Sequence, residues 1–279
     1  MIEASIFGQL EIVKYLIEKG ADIEAKDYCG NTALIDASLG GNLETVKYLV
    51  KKGANIDAKD TDDYTPLLYA SYEGNLEIVK YLVENGAKIE VKNNYGCTAL
   101  ICASEKGYLE IVKYLILKGA KIEAKNIHGY TSLIFASRVK NLEVVKYLIS
   151  KGANIDAKDN HGYTALIWAS YLEIIEYLIS KGANIEANNS NGNTSLICAS
   201  KKGYLEIVKY FVEKGANIEA KGYNGNTALI CASEKGCSKI VKYLISKGAN
   251  INKRNKNGKT AYDYMKIPEL KPNFIVIED

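Results

Sequence analysis

Residues 93–125, NNYGCTALICASEKGYLEIVKYLILKGAKIEAK, decide the fold. Thr98 is an N-cap residue ahead of the apolar run Ala99-Leu100-Ile101, so a short helix is predicted from Thr98 to about Lys106. Gly107 supplies the positive φ that ends it. A second helix is predicted from about Leu109 to Leu117, stopping at Gly119. On it Leu109, Val112, Leu115 and Ile116 share one face, while Glu110 and Lys113 lie opposite at a spacing that pairs them. Ala103 leaves room for a close helix approach. The residues that remain, with Ile122 and the next Gly129 and Thr131, form an extended loop and a tight turn. A unit this small cannot bury its apolar face alone, so neighbours must stack, and stability is the sum of unit and interface terms.

The same text returns along the whole chain. Thr stands at 32, 65, 98, 131, 164, 194, 227 and 260, spaced by 33 residues except for one interval of 30. This divides the chain into an N-terminal partial or capping repeat, 1–26, and the repeats 27–59, 60–92, 93–125, 126–158, 159–188, 189–221 and 222–254. A C-terminal partial repeat and tail, 255–279, follows.

The unit resembles the ankyrin repeat, whose period is 33 residues and whose signature is T-P-L-H-x-A. The matching pieces are the G-x-T turn, the Ala beyond it, LEIV at 76–79, 109–112 and 205–208, and the closing K-G-A-x-I. The signature Pro survives only at Pro66, and Ile or Leu replaces the signature His at Ile35, Leu68, Ile101 and Ile134. The resemblance implies an all-α ankyrin-repeat solenoid of helix–turn–helix pairs with β-hairpin-like loops, forming a single elongated curved domain. It also implies a scaffold or module for protein–protein interaction that binds through its concave groove.

Composition narrows the alternatives. The chain has 279 residues, 47% hydrophobic and 25% charged, with 36 basic and 33 acidic residues. That balance argues against a nucleic-acid partner, as does the scarcity of arginine, present only at Arg138 and Arg254. No apolar run approaches the roughly 20 residues of a membrane span, and no leader segment is expected at the N-terminus. The six cysteines form no C-x-x-C pair and are expected to be reduced thiols. The expected setting is cytoplasmic, with delivery into another cell left open.

No phosphate-loop, nucleophile-elbow or metalloprotease motif occurs, so no catalytic residue, cofactor, metal or small-molecule substrate is expected. His128 and His161 occupy equivalent turn tips in adjacent repeats with no Cys at ligand spacing beside them. The protein is expected to be monomeric.

Subtracting the repeated positions leaves those that can specify a partner. The residue before Ala-Ser and the two after it share one face of the first helix, together with the turn residue before each Thr. Large aromatics concentrate there in the middle of the chain: Tyr64, Tyr69, Tyr72, Tyr130, Phe135, Tyr163 and Trp168, joined by Arg138. Tyr, Trp and Arg dominate interface hot spots, so these eight are the candidate partner-binding residues. Phe135 and Trp168 can also be read as extra core.

Other readings stay open: a structural spacer, a host-directed effector, or a binder of anionic surfaces through Lys26, Lys59, Lys92, Lys125 and Lys158. Acidic residues two positions earlier (Glu24, Asp57, Glu90, Glu123 and Asp156) are expected to neutralise that lysine stripe. The Tyr row at 15, 48, 81, 114, 147, 177, 210 and 243 reads as a rim of amphipathic rings with hydroxyls in water.

Two departures mark the middle of the chain. Lys140 replaces a helix-ending Gly, and Ser170-Tyr171-Leu172 lacks three residues found in the other repeats. Together they predict a local change of curvature near 138–172. At the C-terminus, Phe274–Ile277 is expected to fold back on the last helix pair or to add a strand to a partner.

Overall fold

The computed structural model describes residues 1–265. Phe274–Ile277 lies outside them. The described residues contain seventeen α-helices and one short 3-10 turn, with no strand beyond an isolated bridge between Asn188 and Thr194. The helices come in antiparallel pairs, so the fold is an all-α repeat solenoid. The chain divides into two compact units, 1–154 and a second that begins at Ile155.

The helix bounds follow from the local signals. In 93–125 the helices are Ala99–Lys106 and Leu109–Leu117. Seven threonines, from Thr32 to Thr227, cap their helices by accepting the N–H three residues on, at 3.3–3.4 Å. Thr260 instead forms a reciprocal box with Asp263. Gly107 sits at φ 83° and closes its helix in the left-handed region.

Within each unit the first helices pack on the first helices of their neighbours, and the second on the second. The Ala-Leu-Ile that opens the first helix of repeats 27–59, 93–125, 159–188 and 222–254 is buried, as are Pro66-Leu67-Leu68, the Ser-Leu-Ile of the other two full repeats, and the inward Val, Ile and Leu of the second helices from Leu43–Lys51 on. Phe211 occupies a position that is Leu in the other repeats and is 1% exposed.

Polar contacts then fix the stacking. In the loops, the acids expected to neutralise the lysine stripe do something else. Seven carboxylates, from Glu24 to Glu219, each accept a backbone N–H from the loop of the next repeat at 2.7–3.0 Å. Lys26, Lys92 and Lys158 also reach forward, donating to the carbonyls of Lys59, Lys125 and Asn188. Acid and lysine are two residues apart, the acid in the turn and the lysine just beyond it, and in three units both bond to the following repeat. The turns pack as closely: a Cβ on Gly96, at φ 72°, would lie 2.8 Å from the backbone nitrogen of Ile127.

The Tyr row also departs from expectation. Tyr114 donates to the carbonyl of Lys80 at 3.3 Å and Tyr243 to that of Lys209 at 3.4 Å, each in the preceding repeat. A lysine four residues on stands over the ring in seven of the eight cases, 5.3–5.7 Å from its centre. Tyr114 and Tyr243 are thus struts between repeats, and the lysines roof the rings because i and i+4 coincide on a helix.

Lys140 is at φ 63°, a non-glycine residue in the glycine position. In repeat 159–188 the first helix is cut to Ala165–Trp168, and Ala169 turns extended at φ −58° and ψ 133°. The missing residues have removed the last turn and its cap.

Candidate functional site

The site begins with one side chain that anchors each turn. Asp27, Asp60, Asn93, Asn126, Asp159, Asn189 and Asn255 each use Oδ1 to accept two backbone N–H groups, from the second and fourth residues on, at 2.7–3.0 Å. Such a side chain holds the turn as an Asx loop and needs only the oxygen that Asp and Asn share. The second terminal atom faces the first helix, nine residues on. There Asp60 Oδ2 accepts the hydroxyl of Tyr69 at 2.7 Å, and Asp159 Oδ2 accepts Trp168 Nε1 at 2.8 Å. Where the anchor is Asn93, Asn126 or Asn189, the residue nine on is Cys102, Phe135 or Cys198. Asp60 and Asp159 therefore sit with a donor and Asn93, Asn126 and Asn189 with Cys or Phe, whereas Asn255 Nδ2 donates to the Tyr264 hydroxyl at 3.4 Å and Asp27 has Asp36 nine residues on.

These anchors set aromatic pairs. Tyr64 stacks on Tyr69 with ring centres 4.7 Å apart, Tyr130 meets Phe135 edge-on at 5.2 Å, and Tyr163 lies 4.9 Å from Trp168. Each pair joins a turn residue to a helix residue five positions later. The repeat between the first two pairs has Cys97 and Cys102 at the matching places. Two small side chains flanked by large ones leave a hollow of about 400 Å³ in the first unit. Tyr64, Tyr72, Tyr130, Phe135 and Arg138 from the candidate set line it, together with Tyr95, Cys97, Glu105, Asn126 and His128.

The electrostatics of the hollow are muted. Burial pushes the Cys97 and Cys102 thiols above their usual range, so neither is a ready thiolate. Burial likewise raises Tyr64 and Tyr69, with Asp60 adding to the effect at Tyr69. Glu105 and Arg138 bring opposite charges to the rim, and the ammonium of Lys106 stands 4.0 Å over the Tyr72 ring.

The structure sorts the eight candidates into three groups. Tyr64, Tyr72, Tyr130, Phe135 and Arg138 converge on the hollow, with Phe135 as its wall at only 7% exposed. Tyr69 buttresses Tyr64 from behind, its hydroxyl tied to Asp60. Tyr163 and Trp168 belong to the second unit and form a pair on Asp159. No cluster of three or more His, Cys, Asp or Glu able to hold a metal occurs among the described residues, where His128 and His161 are both exposed.

A family model described as ankyrin repeats in three copies matches residues 1–93, 57–126, 117–189 and 170–255. The chain belongs to the ankyrin repeat family. Ankyrin repeats are in general protein–protein interaction modules, and the first-helix and turn face that carries the hollow is made of the positions that vary between repeats. No curated protein matches the chain. No helix among the described residues is long and apolar enough to cross a membrane.

Proposed function

We propose that this ankyrin array is a scaffold that binds a partner protein through the first-helix and turn face, with the tyrosine-lined hollow of the first unit as the central anchor point. One observation supports this above the others: a preformed hollow of about 400 Å³, apolar at its base and bearing tyrosine hydroxyls, Glu105 and Arg138. Its volume suits a single large side chain, and its lining matches the aromatic and arginine composition of interface hot spots. Its rigid base of anchored turns lowers the ordering penalty of association. Tyr69, Tyr163 and Trp168 act in this reading as supports and flanking contacts. The reading includes no catalytic step.

The test is capture from cell lysate by the full chain and by Tyr72→Ala/Tyr130→Ala. Both residues are half-buried at the rim, whereas removing Phe135 would open the core. Circular dichroism melts establish that the variant stays folded. A partner retained by the parent and lost by the folded variant supports the hollow as the site. Undiminished capture overturns it.

A further inference from the structure

The near balance of charge along the whole chain conceals a sharp local excess. Residues 235–259 hold eight Lys and Arg and no Asp or Glu. All but Lys253 are exposed, and Lys253 bridges Glu219 at 2.9 Å. Two replacements of acids contribute to the excess. In six other repeats the second helix opens with a Glu that bridges the Lys three residues on, at 2.7–2.9 Å. In repeat 222–254 that Glu is Lys239, three residues before Lys242, so an ion pair gives way to two like charges on one helical face. The loop acid of the other repeats is here Asn252. Among the described residues no further repeat loop stands beyond Asn252. Nothing in the packing calls for Lys239.

The turn of the same repeat is also unlike the rest. Gly222 stands where the other turns have their Asp or Asn anchor, the N–H of Asn226 bonds instead to the carbonyl of Tyr223, and Asn193 of the preceding repeat accepts the N–H of Tyr223 at 2.9 Å. The turn winds into a 3-10 helix, Tyr223–Gly225, with Asn224 at φ 57°. Tyr223 is left 67% exposed. It shares a shallow depression of about 480 Å³ with Lys256, Asn191 and Asn224, and no carboxylate lines it.

An exposed ring, an ammonium beside it and two carboxamides, in a repeat with a local excess of cations, match the chemistry of a nucleotide. The ring stacks on the base, the carboxamides reach the base edge, Lys256 meets a phosphate, and the other lysines of the repeat add an attractive field. We infer that the C-terminal repeat, with the turn that follows it, binds single-stranded nucleic acid. An acidic peptide or an anionic membrane would use the same lysines but would have little use for the exposed ring and its carboxamides. The site lies in the second unit and is independent of the partner-protein hollow in the first.

The test uses the full chain with fluorescein-labelled 20-nucleotide oligouridylate and oligothymidylate, read by anisotropy from 25 to 200 mM KCl. Binding is expected to weaken with a log–log salt slope of about 2–3, at roughly 0.7 per phosphate for three or four contacts. Lys256→Gln should lower that slope by roughly 0.7. Tyr223→Ala, at an exposed position, should weaken binding about fivefold or more at unchanged slope. Lys239→Glu restores the ion pair with Lys242, so it should fold at least as well as the parent while binding more weakly. No anisotropy change at 25 mM KCl overturns the inference. So does competition by polyglutamate as effective as by oligonucleotide, which would assign the patch to an acidic protein. Binding to phosphatidylserine vesicles with oligonucleotide affinity insensitive to Tyr223→Ala would assign it to a membrane surface and overturn it as well.

Discussion

Asp36→Asn should stabilise this protein at neutral pH and leave it unchanged in acid. Asp36 lies on the first helix of repeat 27–59, is 6% exposed, and has a buried Oδ1 with no hydrogen-bond partner. It is also the position nine residues after the turn anchor Asp27, so an acceptor faces an acceptor. Burial first, and the like charge of Asp27 second, raise its pKa from 3.8 to about 6, with the Asn31 amide working in the opposite direction. An acid whose folded pKa lies above its unfolded value binds its proton more tightly when folded. The contribution of Asp36 to stability is therefore most favourable below pH 3.8 and is lost as pH rises through the window to about 6. The full rise corresponds to about 3 kcal/mol at neutral pH, an upper figure. Asparagine keeps the shape and carries no charge. Denaturant unfolding followed at 222 nm, on parent and variant at pH 4, 5, 6 and 7.5, checks this. The variant should gain most at pH 7.5, by up to about 3 kcal/mol, and the two curves should converge near pH 4. A difference independent of pH, or a parent more stable than the variant at pH 7.5, refutes the reasoning, because either would mean that the folded protein accommodates the charge.

Three further outcomes follow from the same geometry. Lys140→Gly relieves a non-glycine residue at φ 63° and should raise stability by about 1 kcal/mol in the same unfolding assay. Asp159→Asn keeps the turn bonds but turns an acceptor toward Trp168 Nε1 into a donor. It should destabilise by about 1–3 kcal/mol and shift the emission of the protein's one tryptophan. Phe211→Ala empties a site 1% exposed and should cost about 3–5 kcal/mol, whereas Phe211→Leu, the residue of the other repeats, should cost much less.

The helices were legible in the sequence because each boundary is written twice, once in the cap residue and once in the period. Thr98 and Gly107 bracket a helix that the structure places at Ala99–Lys106. Five candidate residues converge on the hollow because the positions flanking Ala-Ser (Tyr72, Phe135 and Arg138) and the turn residue before Thr (Tyr64 and Tyr130) each recur in a fixed place in the unit. Tyr95, Glu105, Asn126 and His128 were missed because the hollow is made by an absence. Cys97 and Cys102 are small where their neighbours are large, and a search for bulky side chains passes over them. The turn anchors were missed because Asp and Asn look alike in a loop. Reading each with the residue nine positions later, Asp60 with Tyr69 and Asp159 with Trp168, would have exposed the pairing. The loop acids were misread because charge alone favours a nearby lysine, whereas the bond they make is to backbone one repeat away.

The turn anchor has a consequence for how such a chain diverges. Exchanging oxygen for NH₂ at one atom leaves the turn intact, since Oδ1 alone holds it, yet inverts what is welcome nine residues later. Both residues lie inside a single 33-residue unit, so duplicating a repeat copies the matched pair together. A later substitution at either member creates a mismatch that a second substitution must resolve. Asp27 with Asp36 has the form of a pair caught between those two steps, and an engineer recombining these repeats should move the two positions as one.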